Sequence, residues 1–141
     1  MKILIIGGVA AGTKTAAKLK RADRSAQVTV LTKGKDISYA GCGLPYYVGG
    51  LIADRGELIV NTPQKFADLT GVEVVTGMEA IKVDSAAKTV TAKQVETGAA
   101  SSYAYDKLVI ATGASPILPN IEGIGLDGVF AVRTPDDAIA I

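Results

Sequence analysis

Cys42 is the only cysteine in the 141-residue chain, and it stands in the segment Ser38-Tyr39-Ala40-Gly41-Cys42-Gly43-Leu44-Pro45-Tyr46-Tyr47. The glycines on either side permit close backbone approach, and the segment reads as a loop leading into a short helix that begins near Cys42. A helix N-terminus favours a thiolate, and a thiolate can attack a disulfide or be oxidised to a sulfenic acid. The alternative is the ordinary state of an unpaired cysteine, a small buried hydrophobe. A buried structural cysteine rarely needs two flanking glycines, so the segment favours a reactive sulfur.

A second constellation lies near the N-terminus. Gly7-Gly8-Val9-Ala10-Ala11-Gly12 follows a short apolar run and opens a helical pattern. In such a turn the first glycine permits the tight bend, and the small residue at Ala10 or Ala11 lets a pyrophosphate approach the backbone. Gly12 lets helix and strand pack closely. The helix start then offers N–H groups and positive dipole to a phosphate. The acidic residue that usually ends the second strand and holds an adenosine ribose is absent; Thr32 and Lys33 stand there instead. Lys33 suggests either a 2′-phosphate contact or a solvated surface lysine. A third feature is the cation row Lys14, Lys18 and Arg21, at helical spacing on one face. It could hold phosphates or form a plain solvated surface.

These residues need a scaffold, and the apolar pattern predicts one. Lys2–Ile6 and residues 28–31 read as buried strands flanking a helix from Ala10 to about residue 24, with Ala10, Ala11, Ala16, Ala17 and Leu19 on its apolar side. That is a βαβ unit with a parallel crossover. Thr62-Pro63 signals a helix through about residue 69, and residues 72–75 a further strand. Residues 78–105 switch to alternation, with turns at Asp84-Ser85 and Glu96-Thr97-Gly98, which predicts an antiparallel meander inserted in a parallel fold. Residues 107–111 return to the buried parallel type, and residues 136–141 resemble the start of a helix. The fold class is therefore α/β, with a Rossmann-like parallel central sheet and an inserted β-meander. The expected division is a nucleotide-binding segment over residues 1–116 and a connector over 117–141.

Composition narrows the chemistry. Apolar residues make up 48% and charged residues 21% of the chain, an ordinary globular balance. The net charge of +1 gives no broad attraction to nucleic acid or an anionic membrane surface. The apolar runs have strand length and are too short to cross a bilayer. There is no histidine, which excludes a Ser-His-Asp triad, a histidine acid or base, and most zinc sites within these residues. No metal site is expected. A lone cysteine and the lack of an export signal at the N-terminus point to a reducing cytoplasm.

Three segments occur in a fixed order: Ile5 to Gly12, Ser38 to Tyr47, and Tyr105-Asp106-Lys107-Leu108-Val109-Ile110-Ala111-Thr112-Gly113-Ala114. Together they resemble the FAD-dependent pyridine nucleotide–disulfide oxidoreductases over essentially the whole chain. The similarity is to the single-cysteine branch, which comprises coenzyme A disulfide reductases, NADH oxidases and peroxidases, and polysulfide or persulfide reductases. The resemblance implies that Gly7, Gly8, Ala10, Ala11 and Gly12 cradle the FAD pyrophosphate and that Thr32 and Lys33 lie by the adenosine ribose. It implies that Glu79 and Ala80 touch adenine through their backbone, and that Ala111, Thr112 and Gly113 lie against the ADP half. Cys42 would face the isoalloxazine and carry electrons to a small disulfide, coenzyme A disulfide, persulfide or polysulfide.

Departures from the pattern matter as much. In two-cysteine relatives a second cysteine follows five positions later, where this chain has Tyr47, so no internal dithiol can form. The peroxidase members carry a histidine where Ala10 stands, which argues against peroxidase activity. The coenzyme A reductases have asparagine where Gly41 stands, although Ser38 matches, and Lys14, Lys18 and Arg21 fall where that branch contacts coenzyme A. The resemblance further implies NAD(P)H bound by a later domain and a homodimeric full-length protein. The 141 residues would be an incomplete FAD domain, expected to bind FAD poorly and to show no turnover alone. An NADH oxidase working through a sulfenic acid, or a non-catalytic nucleotide-binding piece, are the alternatives.

Overall fold

The computed structural model describes residues 1–141. The chain forms β1 (Lys2–Ile6), α1 (Ala10–Ala22), β2 (Gln27–Leu31), α2 (Leu44–Val48), α3 (Pro63–Thr70), β3 (Glu73–Val75), β4 (Met78–Asp84), β5 (Thr89–Gln94), β6 (Ala100–Ala104), β7 (Lys107–Ile110) and α4 (Pro135–Ala140). Contacts group residues 1–38 with 61–112 as one compact unit, and 39–60 with 113–141 as a second.

In the first unit, β3, β2, β1 and β7 form a parallel sheet in that order. The isoleucine-rich β1 is the reason for its layering. Successive side chains of a strand point to opposite faces. Ile3 and Ile5 therefore join Val28, Val30, Ala16 and Phe66 in one buried cluster under α1 and α3. Leu4 and Ile6 point the other way and meet Leu31, Met78, Val90 and Ala92 under the meander. A strand covered on both faces must be apolar there, and after the exposed Lys2 every residue of β1 is apolar and buried.

The meander is antiparallel in the order β4-β5-β6, as the alternation predicts. A β-bulge lies between Ala80 and Lys82, and the intervening Ile81 is exposed. This one-residue insertion shifts the side-chain alternation of β4. The turns fall at the expected places, Gly98 taking a left-handed backbone (φ 76°) that a residue with a Cβ rarely adopts.

α3 begins as Thr62-Pro63 predicts. The Thr62 hydroxyl accepts the Lys65 N–H at 3.2 Å, and Gly71 closes the helix in the left-handed region (φ 71°). Thr62→Ala should cost about 1 kcal/mol of stability. Chemical denaturation should show the loss as a lower midpoint with an unchanged slope.

α1 requires a correction. Ala10 and Ala11 were expected on its apolar face, yet both are exposed, and burial starts at Gly12, Thr13 and Ala16. Gly12 is the first residue of the helix pressed against the turn below it, so the residues before it have no core to face. Lys14, Lys18 and Arg21 are exposed as expected.

The second unit is built on a small apolar cluster of Leu44, Leu58 and Ala138, with Tyr47, Ile52 and Ile59 packed against it. Tyr39 pairs with Ile59 in an isolated antiparallel bridge, and α2 contacts α4. No helix of the chain is long and apolar enough to cross a membrane.

Candidate functional site

At the end of β1 the chain turns through Gly7, whose φ is +113°. A Cβ there would lie 2.0 Å from the Ala111 carbonyl oxygen, so the first glycine is required by both conformation and space. A Cβ on Gly12 would lie 1.8 Å from the Gly7 carbonyl oxygen. The spacing recognised in sequence is thus a steric fact: helix backbone touches turn backbone, leaving room for hydrogen only. Gly8 is different, because its Cβ would meet side chains, Ile37 Cγ2 at 2.9 Å and Thr32 Cβ at 3.0 Å.

α1 then starts without a side-chain cap. Val9 holds the N-cap position, and the first turn contains no acidic residue. Thr13 turns its hydroxyl back onto the Val9 carbonyl and occupies none of the first-turn N–H groups. A helix of 13 residues thus presents its orphan amides beside exposed Ala10 and Ala11. Such an end suits a pyrophosphate, being close-packed below, free of bulky side chains and positive above.

Ala111 and Thr112 complete this end of the sheet, with the Ala111 N–H donating to the Ile6 carbonyl at 2.8 Å. Thr32 follows β2 directly, and its side chain is almost fully buried (7% exposed). Its N–H donates to Val75 O and its carbonyl accepts from Met78 N–H, each at 3.0 Å. Lys33 is no lone surface cation; its Nζ lies 2.9 Å from Glu79 Oε1. Sequence reading named both residues but missed the pair, since 46 positions separate them.

Ser38 adopts a left-handed backbone (φ 50°), and its N–H donates to Gly8 O at 2.9 Å. Its place is therefore explained by closure of the 32–38 loop on the glycine turn. The cation row divides: Arg21 lines an open depression of about 520 Å³ together with Lys20, Arg24 and Asp68, whereas Lys14 and Lys18 do not. A larger depression of about 610 Å³ touches Lys2, Gln27 and Glu73, at the starts of the strands. Ligands of open α/β sheets bind at the carboxyl ends, so the larger hollow is not the nucleotide site.

In the second unit Cys42 is exposed and occupies the middle of a 3₁₀ turn, Gly41–Gly43, that runs directly into α2. Ala40 N–H donates to Leu58 O at 2.7 Å and Gly43 N–H to Ala40 O at 2.9 Å, which fixes the turn. The two flanking glycines serve different ends. A Cβ on Gly43 would press on Leu58 Cδ2 at 3.0 Å, while one on Gly41 would meet nothing within 4 Å. Gly41 thus faces open space, and Gly43 seats the turn on its core. Tyr47, in the place of a second cysteine, packs against that same core. Gly113 also belongs to this unit; its backbone is left-handed (φ 73°), and Arg133 Nε donates to Ala114 O at 2.9 Å beside it.

α4 is held by a reciprocal cap in which Thr134 and Asp137 bond each other's backbone, and Asp137 also accepts from the Arg133 N–H at 2.9 Å. Hydrogen bonds from Thr134 backbone and side chain, then from Arg133, hold the Asp137 carboxyl below the usual aspartate value. A depressed carboxyl contributes stability above its unfolded pKa and loses it as pH falls through the folded value. Amide-exchange protection at Ala138 should therefore be full near neutrality and decline below about pH 4.

The parallel sheet layered between helices and a meander, with a glycine-lined βα turn, defines a Rossmann-like dinucleotide-binding fold. The sequence profile of the pyridine nucleotide-disulphide oxidoreductases matches residues 1–141, and the chain belongs to that family. It is 38% identical over 141 residues to an NADH oxidase of Methanocaldococcus jannaschii, covering 100% of this chain and 31% of that protein. It is 33% identical to a coenzyme A disulfide reductase of Staphylococcus haemolyticus, covering 99% and 31%. It is 40% identical to an NAD(P)H coenzyme A polysulfide/persulfide reductase of Pyrococcus horikoshii, covering 99% and 30%. Among solved structures, reduced Bacillus anthracis CoADR-RHD superposes with a TM-score of 0.94 at 37% identity, covering 99% of this chain and 25% of that one. The chain thus spans less than a third of the length of these proteins. FAD with a pyridine nucleotide is the cofactor set of the family, and the turn fits it: the α1 amides stand uncapped, with only the small, exposed Ala10 and Ala11 side chains beside them.

Proposed function

We propose that the full-length protein is an FAD-dependent NAD(P)H oxidoreductase that reduces a small disulfide, persulfide or polysulfide through Cys42. The observation that carries this reading is the exposed, glycine-flanked cysteine with Tyr47 in place of a partner thiol, in a chain whose family is established. Gly7, Gly8, Ala10, Ala11 and Gly12 bind the pyrophosphate of FAD through backbone groups. Thr32, Lys33, Glu79 and Ala80 serve the adenosine end, and Ala111, Thr112 and Gly113 complete the ADP contact. Bound there, FAD would supply the two-electron chemistry that links nicotinamide oxidation to sulfur reduction.

The part played by this chain is sulfur exchange. The Cys42 thiolate attacks one sulfur of R–S–S–R, forming a Cys42–S–S–R bond and releasing RS⁻. Two electrons and one proton then cleave the mixed disulfide, restoring the thiolate and releasing RSH. The exposure of Cys42 leaves it open to a substrate from solvent. A coenzyme A-linked substrate is the finer choice, with Lys14, Lys18 and Arg21 as phosphate partners; the coenzyme A names among the relatives support it.

A second reading, NADH oxidation through a sulfenic acid on Cys42, has the Methanocaldococcus relative in its favour. The two separate in one experiment on the full-length protein. NAD(P)H consumption that requires added disulfide or polysulfide supports the first; equal consumption with oxygen alone overturns it.

A further inference from the structure

The adenosine ribose of a bound dinucleotide is held, in this fold, by a carboxylate at the end of the second strand. Here that position is Thr32, buried and neutral. A carboxylate nevertheless reaches the same place from another element. Thr32 O accepts from Met78 N–H at 3.0 Å, so the first residues of β4 are bonded to the residue that follows β2. The next residue, Glu79, carries the acid, and Lys33, the neighbour of Thr32, holds Glu79 Oε1 at 2.9 Å. Glu79 is only partly exposed, and the Lys33 bond takes one of its oxygens, leaving the other as an acceptor.

We infer that Glu79, oriented by Lys33, supplies the carboxylate for the ribose hydroxyls that Thr32 lacks. The inference rests on the FAD reading above and assigns a side-chain role to a residue expected to act only through its backbone. The required acid stands on β4 instead of β2, and the Lys33 ammonium holds it in place. A diol donates two such bonds to the carboxylate and a deoxyribose only one, so the arrangement makes the 2′-hydroxyl a determinant of affinity. A charge-assisted hydrogen bond of this kind corresponds to roughly tenfold in affinity.

The test uses the flavin-free form of the full-length protein, titrated with FAD and with its 2′-deoxyadenosine analogue and read by flavin fluorescence. The wild type should prefer FAD by about tenfold. Glu79→Gln should bring the preference to about twofold or less, and Lys33→Met should leave it intermediate. Glu73→Gln, which neutralises the carboxylate that accepts the Thr29 hydroxyl at the opposite end of the strands, should keep it whole. Glu79→Gln with an undiminished preference overturns the inference, as does a preference lost in Thr32→Val instead. A wild type that binds both flavins equally overturns this inference alone. A wild type that binds neither overturns the FAD reading with it.

Discussion

Cys42→Ser in the full-length protein is expected to lower disulfide or polysulfide turnover by on the order of 10³-fold, about 4 kcal/mol of barrier. A hydroxyl at that position has no accessible anion near neutral pH and forms no disulfide, so both sulfur bonds of the cycle are lost. The substitution is nearly isosteric at an exposed site, and nothing in the turn depends on the sulfur: its hydrogen bonds run through Ala40, Gly43 and Leu58 backbone groups. Folding and flavin content should therefore stay unchanged, and anaerobic bleaching of the flavin by NAD(P)H should proceed at the parent rate. That split separates loss of the nucleophile from loss of the fold. A serine variant with normal turnover would remove Cys42 from the reaction.

Gly12→Ala should have the second large effect, on the nucleotide end. The added methyl would stand 1.8 Å from the Gly7 carbonyl oxygen and 2.9 Å from its carbon, both backbone atoms in a turn that is itself pressed on Ala111. No side-chain rotation relieves such a contact; α1 must move off β1. Overpacking of this kind costs about 3 kcal/mol, and a displaced α1 also withdraws its amides from the pyrophosphate. We expect a lower unfolding midpoint together with loss of nearly all bound flavin. Gly41→Ala is the control, because its Cβ meets nothing within 4 Å, and should change stability by less than about 0.5 kcal/mol. If Gly12→Ala matched it, the close approach of helix and turn would not be what the glycine provides.

Much of this arrangement was legible in the sequence because it depends on local pattern. The glycine turn, the capped start of α3 and the alternation of the meander each follow from the residues at the position itself. Position along α1 was read less well: helical spacing grouped Ala10 and Ala11 with the apolar side, but only the contact of Gly12 on Gly7 decides where burial begins. What sequence could not supply is pairing over distance. Lys33 met Glu79 from 46 positions away, and the cysteine segment shares its unit with residues 113–141 through Tyr39, whose hydroxyl lies 3.5 Å from the Arg133 carbonyl. Charge signs hinted at the first pair, since an unexplained lysine beside a missing acid invites a search for one. No comparable signal marked the second.

The central claim is that these segments build a flavin site, and the visible absorbance of the purified full-length protein tests it most directly. A yellow protein that releases FAD on denaturation is the predicted result. A colourless full-length protein that takes up no FAD on reconstitution would contradict the account.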